Sequence, residues 1–394
     1  MFRSKKLVIM LSVALVLALT LVGCGTKQEA PKTEAPKPAD DVIKIGVYEP
    51  LTGGQAAGGQ MTVDGMKLAN KLFPTVLGKK VQLVIEDNKS EPPESANVVS
   101  RLIDQHKVQV ILGSYGSSNS KSGGNVAKQK GVPVIGCSPT NPTVTKDNDY
   151  YFRVCFIDPF QGTVMANYAF KELKAKKVAI IREVTSDYSV GLSQYFVEAF
   201  TKLTGDPNSV VAQLDYKKGD QDFTAQLQTI KSKQPDVIFA PGEIGESAIL
   251  IKQARQLKIN VPFLGGDTWE APEFIQIGGK DVEGIAFSTH FTAEAPVTEM
   301  SKKFIEEFKK DYNGQEPTAF AALGFDTYIL ALDAITKAGK YEAKAIRDEI
   351  AKTKDFKGAT GNITLDANGD PIKSAVIKKV QDGKFVYLTT IEPK

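Results

Sequence analysis

The chain has 394 residues, with 49 Lys and Arg against 46 Asp and Glu, for a formal net charge of +3. Arg3, Lys5 and Lys6 lie within the first 23 residues, so the remainder carries a formal charge of 0, and no general electrostatic case exists for nucleic acid or an acidic membrane surface as partner. With 2 His and 3 Cys at no zinc-like spacing, the composition also argues against a His-based metal site, and no cofactor is expected.

Residues 1–23 read as an export signal: basic MFRSKK, apolar LVIMLSVALVLALTLV over 7–22, then Gly23 before Cys24. The apolar stretch is short for a membrane span, and no second one of spanning length is read. Residues 24–41 follow as Cys24 and a Pro-, Lys- and Glu-rich tether that has nothing large and apolar to bury. From residue 42 onward, strand-like apolar runs alternate with amphipathic ones. VIKIGVY precedes TVDGMKLANKLF, VQLVIED precedes SANVVSRLIDQHK, VQVILG precedes SKSGGNVAKQKG, and VPVIGC and FRVCF follow. The series continues through KVAIIRE, VVAQLDY, DVIFAP, VPFLGG and GIAFSTH, each of the first three followed by a helical pattern. Short continuous apolar strands between helices predict an α/β fold with parallel sheets covered on both faces. SKKFIEEFKKDY and GFDTYILALDAITKAGK predict two late helices, and the last segment predicts a hairpin with an NG turn. About 350 residues beyond the tether suffice for two lobes.

Open parallel sheets bind ligands at the carboxyl ends of their strands. The polar loops in those places are EPLTGGQAAGG (49–59), SYGSSNS (114–120), SPTNPT (138–143), TSDYSVG (185–191), GEIGE (242–246) and GDTWE (266–270). The loop GSYGSSNS opens a helix, where backbone N–H groups suit a phosphate, an oxyanion or a ligand carboxylate. The enzyme readings find little support. The first Gly-rich loop does not match G-x-G-x-x-G, no loop ends in G-K-[ST], and GSYGS does not place Ser in a G-x-S-x-G elbow. His106 is read as a solvated mid-helix residue and His290 as the end of a strand, and neither suits a triad. Glu49, Asp187, Glu243 and Asp267 all sit on candidate loops, where carboxylates serve as catalysts or as partners for a ligand cation. Cys137 and Cys155 either pair or stand as two buried thiols.

The segments IKIGVYEPLTGG, GMKLANKLF, VQLVIEDNKSEPPESANVVSRLI, ILGSYGSS, VPVIGCSPTNPTVT, YYFRVCFIDPFQG, DYSVGL, KKGDQDFTAQLQTIK, AILIKQARQLKI and FLGGDTW, taken in order, resemble the leucine/isoleucine/valine-binding family of solute receptors for ABC importers. The LVGC tetrapeptide resembles a bacterial lipobox, which implies cleavage before Cys24, a lipid anchor on it, and a place on the extracytoplasmic face of the cell membrane. The family resemblance covers residues 42 to about 390. It implies the type I periplasmic-binding-protein fold: two α/β lobes with Rossmann-like parallel sheets and three hinge crossings, over 42–158 plus 290–355 and over 159–289 plus 356–394. It further implies a monomeric, non-enzymatic receptor that closes on an amino acid and presents it to a membrane permease. In the family's pattern, Ser117 and Thr140 would hold the ligand carboxylate. The Ser138 carbonyl and Asp267 would meet its ammonium, with Asp267 standing where many members carry Glu. Tyr188, Tyr115 and Trp269 would line the rest of the pocket. Two positions depart from the pattern: Glu243 where many members have an aromatic residue, and Gly58 where some have Tyr. A branched-chain amino acid is the first expectation for the ligand. The alternatives are another amino acid, an amide or an aromatic carboxylate, or a sensor subunit that passes the same ligand to a signalling partner.

Overall fold

The computed structural model describes residues 42–393; the signal, Cys24 and the tether expected over residues 1–41 lie outside the described residues. The first sheet is built from β1 (Val42–Glu49), β2 (Thr75–Val76), β3 (Lys79–Asp87), β4 (Ile111–Leu112), β5 (Val134–Gly136) and β6 (Tyr151–Arg153), in the order β2-β3-β1-β4-β5-β6. Between them run α1 (Ala56–Leu72), α2 (Pro92–Asp104) and α3 (Ser117–Gln129). All neighbours pair in parallel except the short β2. Ile43, Ile45 and Val47 of β1 are almost completely buried, and so is Tyr48 on the other face. Helices on both faces bury the stretch from Ile45 to Tyr48, which is why it reads as an apolar run, while Lys44 near the strand's start is exposed.

The chain then crosses to a second sheet. Its connecting helices are α4 (Asp158–Asn167), α5 (Asp187–Thr204), α6 (Thr224–Lys233), α7 (Ile244–Gln256) and α8 (Pro272–Gly278). Its parallel strands are β7 (Val178–Glu183), β8 (Val210–Tyr216), β9 (Val237–Phe239), β10 (Phe263–Gly265) and β11 (Ala286–Thr289). After β11 the chain returns through α9 (Glu299–Asp311), α10 (Ala319–Ala338), α11 (Ala343–Ile350) and the two-stranded β12 (Phe356–Gly358) and β13 (Gly361–Ile363). These pack into the core of the first sheet, where Ala359, Ile363 and Leu365 join Phe304, Phe325 and Ile346. A third crossing leads to β14 (Ala375–Gln381) and β15 (Lys384–Ile391), which complete the order β15-β14-β11-β10-β9-β7-β8. The second sheet is therefore rejoined at Ala375, later than the expected residue 356.

Three further expectations are corrected. The closing hairpin turns at Asp382 and Gly383, with φ of 53° and 67°, and not at the NG of residues 368–369. Two successive positive φ values suit the turn that matches strand twist. The NG pair instead closes a single bridge between Leu365 and Pro371. The helix α10 is long and apolar enough to cross a membrane by composition, but it is largely buried as a core helix against α1. His106 lies beyond the end of α2, with Nε2 3.3 Å from Glu86 at the surface.

Both sheets point the carboxyl ends of their parallel strands at a common cleft. In the first sheet β1 is flanked by β3 and β4, and in the second β7 is flanked by β8 and β9. At such switch points neighbouring loops diverge and leave a crevice.

Candidate ligand-binding site

The loop after β4 is held from below. Glu49, fully buried at the end of β1, accepts the Tyr115 N–H on Oε2 at 2.7 Å and the Cys137 thiol on Oε1 at 3.3 Å. Burial pushes its carboxyl up to about 8, against the pull of those hydrogen bonds. Ser120 Oγ accepts from Ser114 N and donates to Ser114 O, closing the loop on the first turn of α3. This anchoring aims the start of α3, a helix of 13 residues, and with it Ser117, at the cleft. Free N–H groups and the positive end of the macrodipole make that start favourable for an anion.

The next loop, after β5, is tied to the first. Ser138 Oγ donates to Tyr115 O at 3.1 Å, and Ser117 Oγ accepts from Asn141 N at 3.3 Å. Arg153, with no exposure, donates through Nη1 to the carbonyls of Pro139 and Asn141. Its Nε meets Asp370 Oδ1 at 2.6 Å on the third crossing. Asp158 N donates to Thr140 O at 3.0 Å, and the Asp158 carboxyl faces the Thr140 hydroxyl. Burial pushes that carboxyl up to about 8.

From the second sheet, Asp267 opens a turn directly after β10. Its Oδ1 accepts from Gln161 Nε2 at 2.8 Å and Tyr188 OH at 3.0 Å, and its Oδ2 lies 3.0 Å from His290 Nε2. Thr268 Oγ1 donates to Gly242 O at 2.7 Å, binding this turn to the loop that carries Glu243. Glu243 precedes α7, and its Oε1 accepts from Gln55 Nε2 at 2.7 Å across the cleft. A second link across the cleft joins Ser118 Oγ to Asp187 Oδ2 at 3.0 Å, and a third joins Asn141 Nδ2 to Asp187 O at 2.6 Å.

Between these loops lies a small cavity, with only about 10 Å³ of free space. Tyr115, Gly116, Ser117 and Ser138 wall it from the first sheet, and Tyr188, Glu243, Asp267 and Thr268 from the second. The structure thus brings together Ser117, Ser138, Asp267, Tyr188, Tyr115 and Glu243. It separates two expected members from the wall. Trp269 is fully buried in the core of the second lobe, stacked on Phe274 at 5.0 Å between ring centroids. The turn rotates its side chain under the sheet while Asp267 faces the cleft. Thr140 is fully buried near Asp158, and its hydroxyl has no hydrogen-bond partner among the described residues. At Gly58, a Cβ would come within 2.3 Å of the Tyr115 ring, so Tyr115 fills the space that a residue larger than Gly would need.

Three polar residues around the cavity were not singled out by sequence reasoning. Gln161 lies in α4 and looks like an ordinary surface residue, while Gln55 precedes α1 within the candidate loop 49–59, where nothing marked it among its neighbours. His290 follows β11 and lies tilted against Phe156, with ring centroids 3.9 Å apart. Its place after a strand of the second sheet was the one clue available. Cys137 and Cys155 are both free and buried. Among the described residues no group of His, Cys, Asp and Glu is arranged to hold a metal ion.

Comparison with known proteins agrees with this architecture. A curated relative, the Leu/Ile/Val-binding protein homolog 2 of Brucella abortus, is 27% identical over 355 residues, covering 88% of this chain and 93% of its own. The leucine-binding protein LivK of Thermotoga maritima superposes with a TM-score of 0.86 at 44% identity, covering 89% of this chain and 99% of that one. LivJ of Streptococcus pneumoniae, solved in complex with isoleucine, superposes with a TM-score of 0.83 at 34% identity, covering 89% and 100%. A family model described as periplasmic binding protein matches residues 42–384, from the first residue of β1 to the first of β15, and with that match the chain belongs to the periplasmic-binding-protein family, in its type I form.

Proposed function

We propose that this protein is the extracytoplasmic receptor of an ABC importer and captures a branched-chain amino acid between its two lobes. The observation that carries the reading is the polarity of one small cavity, with a helix start and Ser117 on one wall and Asp267 and Glu243 on the other. A zwitterion matches that arrangement: its carboxylate at the start of α3 and its ammonium at the acids. Tyr115 and Tyr188 bound the cavity, and their rings would flank a short apolar side chain once the lobes part to admit the ligand. The names of LivK and LivJ, and the isoleucine held by LivJ, support the same class. Closure would proceed by rotation about the three crossings, and the closed form would be what the permease reads.

The test is a thermal shift of ligand-stripped protein against L-leucine, L-isoleucine and L-valine, with benzoate and acetamide as competitors for the reading. A ligand at a thousand times its Kd adds about 4 kcal/mol of stability. A rise in Tm with the three amino acids is expected. A rise with benzoate or acetamide alone would replace the ligand class. The lipid anchor is part of the proposal: Cys24→Ser should move the protein from the membrane fraction to the soluble one, and retention in the membrane would refute it.

A further inference from the structure

We infer that Glu243 is a direct acceptor for the ligand's ammonium, sharing it with Asp267, in a position the family pattern leaves to an aromatic residue. The inference rests on the amino-acid reading above. Asp267 already accepts or faces three protein groups, Gln161, Tyr188 and His290, which occupy most of a carboxylate's acceptor positions. Glu243 is different. It is 6% exposed and its Oε1 is held by Gln55, yet Oε2 is buried with no hydrogen-bond partner among the described residues. It lines the same cavity as Asp267, and the Thr268–Gly242 hydrogen bond holds the two acidic loops together. A buried polar atom without a partner costs free energy, which a ligand donor placed there would recover. An ammonium has three donors, and Asp267 alone leaves room for one of them.

The surroundings make this acceptor responsive. Glu243 faces Glu183 at the end of β7, Glu246 in α7, Asp267 after β10, and Tyr115 and Tyr216. Lys218, beyond β8, is drawn off to Glu91 and the Ser90 carbonyl. Burial first, and the neighbouring acids second, push the Glu243 carboxyl up to about 8. Below that pH the ligand-free group is largely protonated, so seating an ammonium against Oε2 expels its proton. Affinity therefore rises with pH from 6 toward 8 and then levels as Glu243 ionises unaided.

The experiment is calorimetry of L-leucine binding at pH 7 in two buffers of different ionisation enthalpy, on wild type, Glu243→Gln and Asp267→Asn. Wild type should release close to one proton per leucine. Glu243→Gln should abolish that release and weaken binding by about 10- to 100-fold. Asp267→Asn should weaken binding but keep the release. The wild-type measurement stands even if a variant misfolds: leucine binding with no proton release overturns the inference. Equal affinity of Glu243→Gln and wild type does so as well, with the amino-acid reading left intact. If wild type binds none of leucine, isoleucine and valine, that reading fails first and takes this inference with it.

Discussion

Asp267→Ala is expected to weaken L-leucine binding by more than about 100-fold and to destabilise the protein by about 2–4 kcal/mol. Both effects come from one carboxylate with two duties. Toward the cavity, in the proposed function, it would accept from the ligand ammonium. Toward the protein it gathers Gln161 from α4, Tyr188 from α5 and His290 from the second crossing. Truncation strands those groups unequally. Gln161 keeps Ser288 Oγ at 3.0 Å and Tyr188 keeps Thr268 at 3.4 Å, while His290 Nε2 keeps no partner among the described residues. A buried polar group stripped of its partner costs about 1–3 kcal/mol, so the sum stays within the stated range. Urea unfolding and calorimetry on the same preparation separate the two effects. An affinity within threefold of wild type would remove Asp267 from the site.

The second large effect belongs to a residue that touches no ligand. Arg153→Ala should cost about 3–5 kcal/mol of stability, the range for breaking a buried ion pair from one side. The Arg153 side chain is completely buried, and it satisfies Asp370, Thr145 and the carbonyls of Pro139 and Asn141. Without it, Asp370 keeps only Thr145 Oγ1 as a side-chain partner among the described residues. The two carbonyls flank Thr140, so the loop that supports Ser138 loses its clamp. L-leucine affinity should fall about tenfold, because a site holds its geometry only as well as the residues behind it do. Arg153→Lys should recover little, since an ammonium cannot reproduce the planar fork. Urea unfolding decides the matter: a loss below about 1 kcal/mol would mean the clamp is not structural.

The pattern of strands and helices was legible because a parallel strand covered on both faces is mostly apolar, as β1 is from Ile45 to Tyr48. The candidate loops were legible for a related reason: ligands of such sheets lie beyond strand carboxyl ends. Ser117, Ser138, Tyr188, Glu243 and Asp267 all come from loops chosen on that ground, and all line the cavity. The position of a side chain within a short turn was not legible. Asp267 and Trp269 are two residues apart, yet one faces the cleft and the other the core. Nor was the third crossing. Residues 356–373 carry strand-like patterns that fit either sheet, and it is Asp326, accepting from Ala359 and Thr360, together with the Arg153–Asp370 pair, that keeps them with the first.

From sequence alone, the order of elements and the loops that could meet a ligand were legible, since each depends on residues adjacent in the chain, while the two-lobed architecture came from the family resemblance. Tertiary structure decided which polar groups share a partner. The donors to Asp267 Oδ1 lie 106 and 79 residues away in sequence, and Gln55 reaches Glu243 across 188. Hydrogen bonds require approach to about 3 Å, and no local propensity or periodicity encodes an approach between segments so distant.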